Sequence, residues 1–322
     1  MSAILLRLLS ALWSTVNAGM RLAARRGWVG SRKLPARVLS VGNLQVGGAG
    51  KTPLVALIAQ EAIARGQRVC ILSRGYGGIW EANGGVIAPG KEPAHPALCG
   101  DEPALLHELA PEAWIGVGRD RVQQFEAVLA QAVTPMDSVI LDDGFQHWRI
   151  RKDVEILAVT SQSRGERLYR EWEGAARWAD LRVWTKGELP PRGWGEGLSA
   201  CEDVRVRMRP RVRIGELLTS KKFWLVTGLA DGHSARRSIE AENFEVVRHL
   251  SFPDHARYAS PVVKQIMEDA WEAGAVVAVT GKDWVKWKDL GLDESRIVVL
   301  EPELEMLEGR EKWLKTLWGV SS

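Results

Sequence analysis

Arg37 to Arg65 reads RVLSVGNLQVGGAGKTPLVALIAQEAIAR, and its order is strand, glycine-rich loop, helix. Val38, Leu39 and Val41 form a short apolar, branched run. Gly47, Gly48 and Gly50 permit a tight turn, and Leu54, Val55, Leu57 and Ile58 recur at helical spacing. A loop of this kind aims amide dipoles and a helix N-terminus at a polyphosphate. The expected cradle is Gly47, Gly48, Ala49, Gly50, Lys51, Thr52 and Pro53, with Lys51 bridging the β- and γ-phosphates and the Thr52 hydroxyl holding Mg²⁺. One position departs from the pattern, because Gln45 stands where G-x-x-x-x-G-K-[ST] begins with glycine. A plain glycine-rich turn is the competing reading; the strand-to-helix setting argues against it.

Working outward, strand-like runs recur at Val69 to Leu72, Trp114 to Val117, Val139 to Leu141, Glu155 to Val159 and Leu181 to Trp184, with helical stretches at Glu102 to Ala110 and Asp120 to Ala132. This alternation predicts an α/β fold, a mostly parallel P-loop NTPase-like sheet with helices on both faces. A Pro- and Gly-rich stretch, Glu188 to Glu202, marks a boundary. A second, smaller α/β series follows, with strands near Phe223 to Val226, Glu245 to Arg248, Val276 to Val279 and Ile297 to Leu300. The expected division is 1–187, a membrane-associating helix plus the phosphate-loop domain; 188–214, a linker with a basic extended segment; and 215–322, the second domain.

In that linker Arg205, Arg207, Arg209, Arg211 and Arg213 alternate with Val206, Met208, Pro210 and Val212. Extended, the segment places the arginines on one face, and Pro210 points to a sheet edge. Two readings stand: a solvated edge strand charged against aggregation, or a cationic strip facing anionic lipid or a substrate phosphate.

The chain has 322 residues, 46% of them hydrophobic, enough for packed cores. A formal charge of +3 does not argue for nucleic acid. Cys70, Cys99 and Cys201 are widely spaced, with neither a disulfide framework nor zinc spacing, which favours a reducing compartment. At the N-terminus Leu5, Leu8, Leu9, Leu12, Trp13, Val16 and Met20 share one helical stripe, broken by Arg7 and followed by Arg21, Arg25 and Arg26. An uninterrupted apolar run of roughly 20 residues, which a spanning helix needs, is absent. An amphipathic helix in a membrane interface fits this pattern; a helix docked on its own domain and a secretory leader compete with it.

The run SVILDDGFQH ends an apolar strand in Asp142 and Asp143, as a Walker B carboxylate pair does, and supports a Mg²⁺ shell beside the loop. Gln146 and His147 follow. CGDEPALLHEL places Asp101 and Glu102 at a helix start, where Asp101 serves either as an N-cap or as the carboxylate that deprotonates an acceptor hydroxyl. FPDHARY puts Asp254 beside His255, and SRGYGG supplies Arg74. Arg119 and Arg121 either add charge near the phosphates or pair with solvent-facing acids.

In this order, SVGNLQVGGAGKTP, LSRGYGG, GDEPALL, ILDDGFQH, FPDH and TGKD resemble the tetraacyldisaccharide 4'-kinase family of lipid A biosynthesis. The resemblance implies an ATP- and Mg²⁺-dependent enzyme that phosphorylates the 4'-hydroxyl of an acylated disaccharide 1-phosphate lipid, giving lipid IVA. It also implies peripheral or monotopic attachment to the cytoplasmic face of the inner membrane, by the N-terminal helix. By the same resemblance Lys51 is catalytic, Asp101 is the base with His255 as its coupled partner, and Thr52, Glu102, Asp142 and Asp143 serve the metal. Arg74, Arg121 and Gln146 are candidates for substrate or phosphate contacts. The chain departs from the family pattern at Ala256, where a second histidine is frequent, at Gly281, which precedes Lys282 and Asp283 in place of an acid, and in GLADGHSARR. Two other classes compete: a membrane-surface ATPase switch, whose extra loop lysine is replaced here by Val46, and a lipid-binding protein with a decayed phosphate loop.

Overall fold

The computed structural model describes residues 3–320 apart from 93, 164, 187–201, 213–221, 230, 231 and 242. All of the Pro- and Gly-rich stretch but Glu202, including Cys201, together with Arg213 and part of GLADGHSARR, therefore lies outside the described residues. Among the described residues twelve strands form one sheet: β1 (Arg37–Gly42), β2 (Val69–Ser73), β3 (Gly85–Ile87), β4 (Trp114–Val117), β5 (Ser138–Asp142), β6 (Val154–Thr160), β7 (Leu181–Lys186), β8 (Glu202–Val212), β9 (Lys222–Thr227), β10 (Glu245–Ser251), β11 (Val276–Thr280) and β12 (Ile297–Glu308). Their order is β10-β9-β11-β12-β8-β7-β6-β1-β5-β2-β4-β3. Pairing is parallel except at β8–β12 and β3–β4. The strands before and after the 188–214 stretch thus belong to a single sheet.

The central strands are buried along nearly their whole length, as expected of parallel strands covered on both faces. Register then decides where the chemistry sits. Val41 pairs with Asp142 and Leu72 with Leu141, so the phosphate loop, the carboxylate pair and Ser73 all leave the sheet at the same end. Open α/β sheets bind ligands at that C-terminal end of their strands.

Two helices frame the loop. Helix α1 (Ala3–Arg25) docks through polar residues: Ser10 accepts from the Tyr169 amide at 2.8 Å, Asn17 donates to the Arg170 carbonyl at 2.7 Å, and Arg21 pairs with Glu171 at 2.9 Å. Its opposite face leaves Ile4, Leu8, Leu12 and Val16 largely exposed. The docked-helix reading holds for the polar face, which packs on its own domain. Helix α2 (Lys51–Ile63) is tied to the chain's last helix, Arg310–Trp318, because Glu61 accepts from the Trp313 and Trp318 indoles at 2.9 and 2.7 Å and pairs with Arg310.

Strand β8 corrects the edge-strand expectation. It lies inside the sheet, paired with β7 as far as Arg205 and with β12 from Arg205 to Val212. Only residues 202–205 pair with β7, so at Pro210, opposite Pro302, β12 is the strand's one neighbour among the described residues and the edge reading holds there locally. Across the ribbon, Arg205 meets Glu308 at 3.6 Å and Arg209 meets Glu305 at 2.9 Å, with Arg211 and Glu303 at 3.9 Å. The arginine stripe is matched by an acidic one on its neighbour, which weakens the case for a lipid-facing cationic strip.

Candidate active site: a phosphate loop, a carboxylate pair and an acid–histidine contact

The loop requires its glycines. Gly47, Gly48 and Gly50 have φ of 72°, 60° and 67°, a left-handed region costly for side-chain-bearing residues. Gly50 caps α2, so Lys51, Thr52 and Pro53 form its first turn, where proline sacrifices no helical hydrogen bond. The missing first glycine has a local explanation. The buried Gln45 side chain accepts from the Thr160 hydroxyl at 3.0 Å and approaches Gln162, tying the loop's start to the end of β6. The Thr185 hydroxyl donates to the Ala49 carbonyl at 2.9 Å, holding the loop from β7.

Lys51 projects towards Asn43 Oδ1 at 3.3 Å and Asp143 Oδ1 at 3.5 Å. Asp143, with φ of 53°, is gripped by both terminal nitrogens of Arg170, at 2.8 and 2.9 Å. Burial opposes its ionisation, but Lys51 and Arg170 outweigh that and hold the carboxyl well below the usual range. Asp142 has the opposite character. Burial first, and then the charges of Glu102 and Asp143, push it up to about 7. One of its oxygens accepts from Ser73 at 2.8 Å; the other is buried with no partner among the described residues. The neighbouring carboxylates are thus distinct in role, one ion-paired and one with a free oxygen.

This asymmetry has a measurable consequence. The folded pKa of Asp142 lies above the ordinary 3.8, so its protonated form favours the fold at low pH, and that advantage is lost as pH rises towards about 7. Asp142→Asn in chelator-treated buffer is expected to raise the melting temperature at about pH 8 and much less at about pH 5. Equal shifts at both pH values would contradict this.

Asp101 opens the helix Asp101–Leu109, and Gly100, with φ of 91°, occupies its cap position. The N-cap reading of Asp101 therefore fails: its carboxylate turns instead to His255, whose Nδ1 lies 3.1 Å from Oδ2. Burial raises the Asp101 pKa, yet the His255 hydrogen bond and the Lys286 and Lys282 charges bring it below the ordinary value. His255 is held in a left-handed turn (φ 60°), with Lys282 facing its Nε2 at 3.4 Å and the Tyr76 ring 5.3 Å from its own. Asp101 and His255 stand 154 positions apart in the chain and are in contact. Glu102 follows Asp101 directly, and its charge lies within electrostatic reach of Asp142 and Arg170 on one side and Lys282 on the other.

The other expected contacts divide. Arg121 is buried, donates to the Gly118 carbonyl at 3.0 Å, and feels the charges of Asp142 and Asp143. Gln146 donates to the Asn43 carbonyl at 3.0 Å and keeps a buried oxygen with no partner among the described residues. Arg74 is exposed and pairs with Glu81 at 2.9 Å, as Arg119 does at 3.3 Å. Sequence reasoning missed Arg170, Asn43 and Ser73 as parts of the site. Arg170 carries no motif signal, whereas Asn43, directly after β1, was open to suspicion by position.

A family model described as Tetraacyldisaccharide-1-P 4'-kinase matches residues 2–319, almost the whole chain. The chain belongs to the tetraacyldisaccharide-1-P 4'-kinase family. Membership makes it an enzyme, a kinase, and places it with lipid A biosynthesis. The tetraacyldisaccharide 4'-kinase of Geobacter metallireducens is 34% identical over 327 residues, covering 93% of this chain and 94% of that protein. The Chromobacterium violaceum 4'-kinase is 35% identical over 298 residues, covering 88% and 83%. Among solved structures, "apo" form LpxK from Aquifex aeolicus in complex with ATP superposes with a TM-score of 0.77 at 26% identity, covering 98% of each chain. The P-loop-type, mostly parallel α/β sheet with its N-terminal apolar helix is therefore that of this kinase family.

Proposed function

We propose that this kinase transfers the γ-phosphate of ATP directly to the 4'-hydroxyl of a tetraacyldisaccharide 1-phosphate, giving lipid IVA, with Mg²⁺ and at a membrane surface. The observation that carries the reading is the Asp101–His255 contact, with Glu102 beside Asp101 in electrostatic reach of Asp142. A nucleotide switch has no need of a second acid–base pair there.

In this reading the 1–187 half supplies the loop and Asp101, and the 215–322 half supplies His255. The loop amides and Lys51 hold the β- and γ-phosphates, and Arg121 and Gln146 border the transferred group. Ionised Asp101, oriented by His255, accepts the proton of the sugar hydroxyl as that oxygen bonds to phosphorus and the bond to ADP breaks. No phosphoenzyme intervenes. The residues fit a hard cation: the buried, unpartnered Asp142 oxygen and the Thr52 hydroxyl would hold Mg²⁺, with Glu102 close by, and Asp143 would act through its pairing with Lys51 and Arg170. When bound, the ion would neutralise charge on the phosphates. Transfer from isotopically chiral γ-phosphate should invert configuration at phosphorus, with the new phosphate at the 4'-position; retention would point to a phosphoenzyme.

Helix α1 supplies membrane contact in this scheme, lying on the cytoplasmic face of the inner membrane with its polar side docked and its apolar side in lipid. Replacing Leu8 and Leu12 by glutamate forfeits roughly 3 kcal/mol or more of apolar burial, and so lowers partition onto liposomes by on the order of 10²-fold. ATP binding should be unaltered. Undiminished co-sedimentation with liposomes would remove α1 as the anchor.

A further inference from the structure

Helix Gly281–Trp287 carries a cation that the scheme above leaves unused. The Lys286 side chain is only 10% exposed, and its Nζ lies 3.4 Å from Asp101 Oδ2. It also lies 3.4 Å from Asp283 Oδ1 and donates to the Ala256 carbonyl at 3.2 Å. Asp283 is wholly buried and fixed by the Thr280 hydroxyl at 2.7 Å, the Tyr258 hydroxyl at 2.8 Å and the Gly228 amide at 3.0 Å. One ammonium is therefore anchored on a rigid carboxylate while reaching both Asp101 and the backbone next to His255. An ion pair serving only its own helix would need Asp283 alone.

The geometry has a directional effect on Asp101. His255 Nδ1 and Lys286 both approach Oδ2, and among the described residues none donates to Oδ1. The doubly held oxygen fixes the carboxylate plane, leaving Oδ1 to meet a hydroxyl. Lys282 is placed differently, since it pairs with Asp254 at 2.8 Å and only faces the far nitrogen of His255.

We propose that Lys286 is a positioning residue for phosphoryl transfer, holding Asp101 Oδ2 and the loop that carries His255 so that Asp101 Oδ1 is presented to the acceptor hydroxyl. This rests on the kinase reading above. A misaligned base costs on the order of 10²-fold in rate.

A mutant cycle on the full chain, assayed with ATP, Mg²⁺ and the acylated disaccharide 1-phosphate in micelles, decides it. Lys286→Met is expected to lower kcat on the order of 10²-fold, while KM for ATP stays within about twofold. On an Asp101→Asn background the same change should cost nothing further, since the residue acts through the group already removed. The exposed Lys264→Met serves as a control and should match wild type. Multiplicative losses in the double variant, unchanged kcat, or a loss matched by weaker ATP binding would each overturn the proposal. Should the methionine variant not fold, the cycle with Lys286→Arg carries the same decision, because a guanidinium keeps the charge but not the point contact. Failure of the kinase reading itself is distinct: wild-type protein would then phosphorylate no lipid.

Discussion

Lys51→Ala is expected to lower phosphoryl transfer by on the order of 10²-fold or more, the scale of losing one preorganised electrostatic contact. The lysine begins α2 and is aimed by its neighbours, with Asn43 Oδ1 at 3.3 Å and Asp143 Oδ1 at 3.5 Å. A cation held there in advance loses little reorganisation energy as charge shifts along the phosphates. The substitution should spare the fold, because Asp143 retains its two bonds to Arg170 and the loop keeps its Thr185 and Gln45 ties. Steady-state rates with saturating ATP test this, alongside melting curves. Near-normal turnover would overturn the assignment of the loop as the phosphate site.

Asp101→Ala is the second large effect. General-base catalysis contributes about 10²- to 10⁴-fold, and a loss in that range is expected in kcat, with ATP affinity retained. The carboxylate sits outside the phosphate loop, and its partners are His255 and Lys286, neither of which belongs to the nucleotide cradle. Its removal also leaves the Lys286 ammonium paired with Asp283, so no buried charge is stranded. Direct measurement of ATP binding beside kcat separates the roles. A loss confined to nucleotide affinity would make Asp101 a metal-supporting residue.

How much of this was legible beforehand depends on the range of the interactions. The phosphate loop and the Asp142–Asp143 pair are written in contiguous residues, because a strand end, a glycine turn and a helix start are local choices of backbone. The parallel strands were likewise readable as short branched apolar runs. Strand β8 was not. Its alternating arginines announce an extended segment, but its place inside the sheet comes from neighbours on both sides, β7 as well as β12, the latter remote in sequence. Gln45 shows the same limit at the loop itself, where the compensating bond comes from Thr160. The difference between Asp142 and Asp143 follows from burial of the one and the Lys51 and Arg170 charges on the other, and no local pattern announces Arg170's arrival at the carboxylate. Spacing alone could not pair Asp101 with His255; family resemblance supplied that expectation, and the structure brings the two side chains into contact. The apolar stripe of α1 was plain from periodicity, whereas its polar docking face depended on the 169–171 segment.

The most direct measurement is a γ-labelled ATP assay with Mg²⁺ and tetraacyldisaccharide 1-phosphate in detergent micelles, comparing wild type with Lys51→Ala and Asp101→Ala. Wild type should label the lipid and both variants should show a deep loss, with ATP binding retained in Asp101→Ala. Free labelled phosphate without labelled lipid would contradict the kinase reading, and would identify a membrane-surface ATPase instead.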